Sequence, residues 1–404
     1  MSTQLNGKKT LVLFYNRRYH PVVIRKLLES GAAKADTVIV NLGEFPRSES
    51  LTAEIRAAGS ENVVNIDGRK IFSENYISWA IRANACYQEK YYLSAAIARP
   101  CLAEITASLA KRDGWDTVVH EFRGNDMVRM NMGYQALETD FLPALSAFDI
   151  DEAEVKKTAD SLKIPEEFGT CNPFSVSDNI WGRSIECGPL EDLEIPAAAE
   201  SYGVCRRVAG EVSEPELVSI RFRDGVPVEL NGSRCPLHEI IEALNKKAGV
   251  RGIGRYDLVE DGTVGFKTRA IYEHPAAACI IAAHKELEHL VLNKHELEFK
   301  NSLDQLFSKK LYDGLWFDPV MEHVKAALAS LNQFVTGEIV LELSDKTFEI
   351  VKRSSPYSLY KGAVSVYNYG HRFSSGDAAG YGNTFNLHTS WTNKMRRMIC
   401  RQNS

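Results

Sequence analysis

Between Thr10 and His120 the chain alternates short apolar runs with amphipathic stretches, a rhythm that few folds accept. The runs Thr10–Phe14, Thr37–Val40, Asn62–Ile66 and Thr117–Val119 are rich in β-formers and read as buried strands. Between them, Pro21–Glu29 sets Val22, Val23, Leu27 and Leu28 at helical spacing, and another helix is predicted near Tyr76–Ala85. Strands alternating with helices predict a doubly wound parallel sheet. Ligands of such sheets lie beyond the carboxyl ends of the strands. The candidate loops are therefore those after Phe14 and after Val119.

The rest of the chain reads differently. Pro and Gly become frequent from Cys171 to Pro196. Leu217–Phe222 reads as a strand entering a hairpin at Asp224 and Gly225. Helices are predicted over His238–Ala248, Ala277–Leu292 and Lys294–Phe307, then a strand pair over Gly337–Val351. The tail after Tyr369 is rich in Gly, Ser and Asn and ends on a basic stretch, Lys394–Arg401. A chain of 404 residues predicts two domains. A net charge of -5 gives no reason to expect nucleic acid as a partner. The eight cysteines are scattered without a C-x-x-C pair, which predicts reduced thiols and a cytoplasmic protein with no metal. Met1–Lys9 lacks the apolar core of a signal peptide, and no apolar run is long enough to cross a membrane.

Seven stretches carry a further signal. They are YYLSAAIARP from Tyr91, GNDMVR from Gly124, FSVSDNIWGRSIE from Phe174, GIGRYDLVE from Gly252, KTRAIYE from Lys267, YDGLW from Tyr312 and RSSPYSLY from Arg353. Each resembles a motif of the argininosuccinate synthases, and they occur in that family's order. The family joins citrulline to aspartate at the expense of ATP. The resemblance implies an α/β fold in three parts. A Rossmann-like domain of the adenine-nucleotide α-hydrolase type would span 1–168, an α+β synthetase domain 169–365, and a C-terminal tail 366–404 would support a homotetramer. It places Tyr91, Asn125, Arg129, Ser175, Ser184, Glu260 and Tyr272 where the family holds citrulline, and Asn125 and Asp126 where it holds aspartate. These residue types fit amino-acid ligands, since Glu260 can take an ammonium and Arg129 a carboxylate.

One loop departs from the pattern. The family's first strand runs into A-Y-S-G-G-L-D-T-S, whose glycines let backbone N–H groups close on pyrophosphate. Here the residues are Phe14, Tyr15, Asn16, Arg17, Arg18, Tyr19, His20, Pro21 and Val22. The arginines add bulk, and Pro21 removes a donor at the helix start. The family's H-G-A-T-G-K-G-N-D has become the shorter His120–Asp126, with Glu121 facing the phosphates' place, and Ala95 and Ala96 replace hydroxyl residues. This puts ATP and magnesium in question, and no cofactor is assigned. Arg17, Arg18 and Arg123 either bind another anion or fill an abandoned site. Three functions stay open: a C–N bond-forming enzyme whose ATP activation is lost or rebuilt, a non-catalytic amino-acid-binding paralogue, and an ATP-dependent argininosuccinate synthase.

Overall fold

The structure is a computed structural model that describes residues 5–44, 49–162, 174–198, 201–205, 214–360 and 374–402. Its first sheet contains β1 (Lys9–Leu13), β2 (Lys34–Asn41), β3 (Val63–Asp67), β4 (Thr117–His120) and β5 (Phe141–Pro143). The spatial order is β3-β2-β1-β4-β5, and the four pairings are parallel. The chain therefore reverses its winding between β1 and β4, so their trailing loops flank one crevice. Leu11, Val12, Leu13, Val118 and Val119 are buried, as strands covered on both faces must be.

The helix after β1, α1 (His20–Glu29), begins one residue before Pro21. After a helix over Glu49–Ala57 comes a continuous helical run through Arg69–Phe72, Ser73–Ile77 and Ser78–Arg82, whose middle segment is a π-helix. The sequence reading placed that helix several residues later. It also passed over α2 (Ser94–Asp113) and α3 (Gly124–Ala136). The first is buried around most of its circumference, so it shows no apolar stripe to recognise.

Antiparallel structure follows. β6 (Ser175–Asn179) and β7 (Gly182–Glu186) form a hairpin, as do β8 (Glu216–Arg223) and β9 (Val226–Leu230), which leads to β10 (Ser233–Arg234). The predicted turn joins β8 to β9, with Asp224 at φ 50° and Gly225 at φ 76°. Beyond α4 (Leu237–Gly249) lie β11 (Arg255–Asp261) and β12 (Lys267–Glu273). Then come α5 (Pro275–Val291), α6 (Lys294–Tyr312), α7 (Pro319–Asn332), β13 (Gly337–Ser344) and β14 (Thr347–Ser354). Two sheets result, β10-β9-β8-β13-β14 and β11-β12-β7-β6.

Contacts gather residues up to Tyr357 into one compact unit and Ser358–Ser404 into a second. In the second unit, α8 (Ser375–Phe385) and α9 (Leu387–Gln402) expose Tyr381, Phe385, Trp391, Met395 and Met398. The expected domain boundaries near 168 and 365 lie outside the described residues, as does Cys171. Six described cysteines are free thiols. Among the described residues no helix is long and apolar enough to cross a membrane.

Candidate functional site

The loops after β1 and β4 pack against each other. The Tyr15 ring lies 4.2 Å from that of Phe122, and the Asn16 N–H donates to Glu121 at 3.3 Å. Five of the loop's backbone donors, those of Asn16, Arg18, Tyr19, His20 and Val22, are spent inside the chain. The Arg18 N–H donates to the Asn16 side chain at 2.8 Å, and those of Tyr19 and His20 donate to the Asn16 carbonyl at 3.2 and 3.1 Å. Pro21 has no N–H, and that of Val22 donates to the Tyr19 carbonyl at 3.1 Å. The side chains are engaged as well. Arg17 pairs with Glu54 through both carboxylate oxygens. His20 and Glu121, both fully buried, pair through Nδ1, while His20 Nε2 meets the Thr37 hydroxyl at 2.9 Å. Arg18 and Arg123 lie over the Tyr19 ring at 5.6 and 4.8 Å.

A second constellation is built on one face of the β11-β12-β7-β6 sheet. Side chains two apart on a strand share a face, and directly paired residues share it across strands. Register pairs Ser184 with Ser177 and Tyr272, and Glu186 with Ser175 and Ala270. Ser175, Ser177, Ser184, Glu186 and Tyr272 therefore point the same way. The Tyr272 hydroxyl donates to Glu260 at 2.9 Å, and the Tyr312 hydroxyl donates to the other oxygen of that carboxylate at 2.8 Å. Tyr91 stacks on Tyr272 at 4.2 Å, and its hydroxyl accepts the N–H groups of Ala95 and Ala96, each at 3.1 Å, at the start of α2.

Two arginines close this face. Arg129 on α3 donates through Nε to the Tyr312 carbonyl at 2.8 Å and through Nη1 to Asp126 at 2.9 Å. Arg99 on α2 donates to the other Asp126 oxygen at 2.7 Å and to Ser177 at 2.8 Å, and lies 5.1 Å from the Tyr15 ring. The two constellations thus meet at Tyr15 and Arg99. Asn125 accepts the Thr263 N–H at 3.2 Å, which ties the start of α3 to the β11–β12 turn.

Charge is unevenly balanced among the carboxylates. Burial works to raise Asp126, but the guanidiniums of Arg99 and Arg129 prevail and hold it below the usual carboxylate range. Burial raises Glu260 against the opposing hydrogen bonds from Tyr312 and Tyr272 and the charge of Arg129. Burial, followed by the charges of Asp126 and Glu260, pushes Glu186 up to about 7, with Arg129 and Arg99 opposing.

The structure thus gathers Tyr91, Arg129, Ser184, Glu260, Tyr272 and Asp126 into one network. Ser175 sits exposed on the same face, and Asn125 stands at its edge. Sequence reading gave no role to Arg99, Ser177, Glu186 or Tyr312, although all four lie in the stretches it singled out. The period-two rule applied to Ser175 and Ser184 points to Ser177 and Glu186. Arg99 and Tyr312 arrive from helices and have no such local signal.

Known proteins give the same direction. A family model described as the arginosuccinate synthase N-terminal HUP domain matches residues 12–150, and one described as the C-terminal domain matches residues 174–392. A Dictyoglomus thermophilum protein named argininosuccinate synthase is 36% identical over 385 residues, 94% of this chain and 96% of that protein. One from Saccharolobus solfataricus, with the same name, is 34% identical over 379 residues, 93% of this chain and 96% of that one.

Proposed function

The chain belongs to the argininosuccinate synthase family of C–N ligases, and on that footing we propose that it joins two amino acids without the family's pyrophosphate cradle. A citrulline-like amino acid docks on Glu260, Ser175, Ser184, Arg129, Tyr91 and Tyr272, and an aspartate-like one beside Asn125 and Asp126. One observation carries the reading. In the loop that should embrace pyrophosphate, the backbone N–H groups of Asn16, Arg18, Tyr19, His20 and Val22 already donate to Glu121, Asn16 and Tyr19. A phosphate would have to break those bonds and displace the buried His20–Glu121 pair. Removing one preorganised donor can cost on the order of a hundredfold in rate, and several are committed here. The partners that Arg17, Arg18 and Arg123 already have support the space-filling role over capture of another anion. The electrophile in this reading arrives already activated.

The match to proteins named argininosuccinate synthase over more than nine-tenths of the chain favours a second reading, ATP-dependent synthesis. Calorimetry with ATP and Mg²⁺, joined to a pyrophosphate assay with citrulline and aspartate, separates the two. The expected result is no nucleotide binding below the millimolar range and no pyrophosphate. Micromolar binding with pyrophosphate release selects the second reading instead. The six free thiols among the described residues accord with a cytoplasmic location.

A further inference from the structure

Of the carboxylates around this face, two are already engaged. Asp126, which the resemblance assigns to the second ammonium, bonds two guanidiniums, Arg99 at 2.7 Å and Arg129 at 2.9 Å. Glu260 accepts two phenolic hydroxyls. The third, Glu186, ends β7 on the face that carries Ser184 and Ser175. Among the described residues its carboxylate accepts no hydrogen bond and forms no ion pair. A partly buried, unpaired carboxylate is costly unless a ligand completes it. The cation it lacks can come from a substrate, because an amino acid brings an ammonium.

We propose that Glu186 receives the ammonium of the aspartate-like amino acid and takes its proton before the new C–N bond forms. This rests on the two-amino-acid reading above. The proton leaves the ammonium nitrogen for the Glu186 oxygen. The freed lone pair then forms the C–N bond at the activated ureido carbon, and the leaving group departs with its bonding pair. Asp126, held by two arginines, keeps those guanidiniums in place for the substrate carboxylates, so it is a positioning residue. The groups facing Glu186 are Arg99 from α2, Asp126 and Arg129 from α3, Glu260 from β11 and Tyr272 from β12, with Cys187 next in the chain. Burial first, and then the acids among them, hold the Glu186 proton affinity near neutral against the two arginines, where a general base is most effective.

The test is calorimetry with L-aspartate and with succinate, its analogue lacking the amine, on wild type and Glu186→Gln at about pH 6 and about pH 8. A carboxyl that titrates near 7 goes from about one-tenth to about nine-tenths ionised over that interval. Wild-type affinity for aspartate should rise about tenfold, because only the ionised fraction accepts the ammonium. Succinate should show no rise, and Glu186→Gln should lose it while keeping its melting temperature. A rise that persists in the variant, or its absence in wild type, overturns the assignment. So does a wild type that binds citrulline but not aspartate, and in each of these cases the proposed function stands. If wild type binds neither amino acid, the proposed function itself fails.

Discussion

In the proposed function Glu260 serves both stability and binding. Its oxygens receive Tyr272 and Tyr312 and still have lone pairs for an ammonium. Glu260→Ala should weaken citrulline binding by about a hundredfold, the equivalent of roughly 2–3 kcal/mol for a hydrogen bond to a charged group. It also strands two phenols, so the urea midpoint should fall. Glu260→Gln keeps the shape and one acceptor oxygen, and should lose less on both counts. Equal binding by wild type and Glu260→Ala in calorimetry would remove this residue from the site.

At the scale of the element, the segment from β1 into α1 shows how a loop carrying Arg17, Arg18 and Pro21 is compatible with the fold. Proline in the first turn of a helix costs nothing there, because its missing N–H needs no partner within the helix. Buried Val22, Val23 and Leu27 still anchor α1. Beside it lies a buried hydrogen-bonded pair: the His20 and Glu121 side chains have no exposed surface. Removing one member leaves the other's polar atoms without that partner in the interior. Glu121→Ala should therefore lose roughly 1–3 kcal/mol in urea unfolding. A loss under about 1 kcal/mol would mean that the pair is ornamental and the loop free to rearrange around phosphate.

For the whole molecule, a buried network joins distant parts of the first compact unit. Asn84 donates to Glu288 at 2.7 Å and to Asp304 at 2.8 Å, Lys300 lies 2.9 Å from Glu288, and His284 connects Asn84 to Asn332. Two acids share one lysine. Burial pushes Asp304 up to about 7, with Lys300 opposing and Glu288 reinforcing. Its folded proton affinity exceeds the unfolded one, so its contribution to stability is greatest in acid and shrinks as pH rises toward 7. Asp304→Asn should therefore be more stable than wild type at about pH 8, by on the order of 1 kcal/mol. The gain should fade at about pH 5, as read from urea midpoints at both pH values. In the second unit, the apolar residues Trp391, Met395 and Met398 recur at helical spacing on α9 and lie exposed. That stripe supports the proposed homotetramer, and deleting residues 374–404 should lower the number of chains per particle by light scattering. An unchanged number of chains would show that the tail does not hold the assembly.

The parallel sheet was legible from residues because strands buried on both faces announce themselves as uninterrupted apolar runs, as Thr37–Val40 does. The β8–β9 turn was legible because Asp and Gly tolerate positive φ. Most of the side chains that the fold gathers on this face were legible too, through motifs in order along the chain. The helix Ser94–Asp113 was not, because burial on nearly every side erases the period that marks a helix. Nor could one sequence tell which carboxylate is engaged and which is open. Asp126 and Glu186 look alike as letters, and only the arrival of Arg99 and Arg129 beside Asp126 sets them apart. Charge balance depends on distances across elements, and these exist only once the chain has folded.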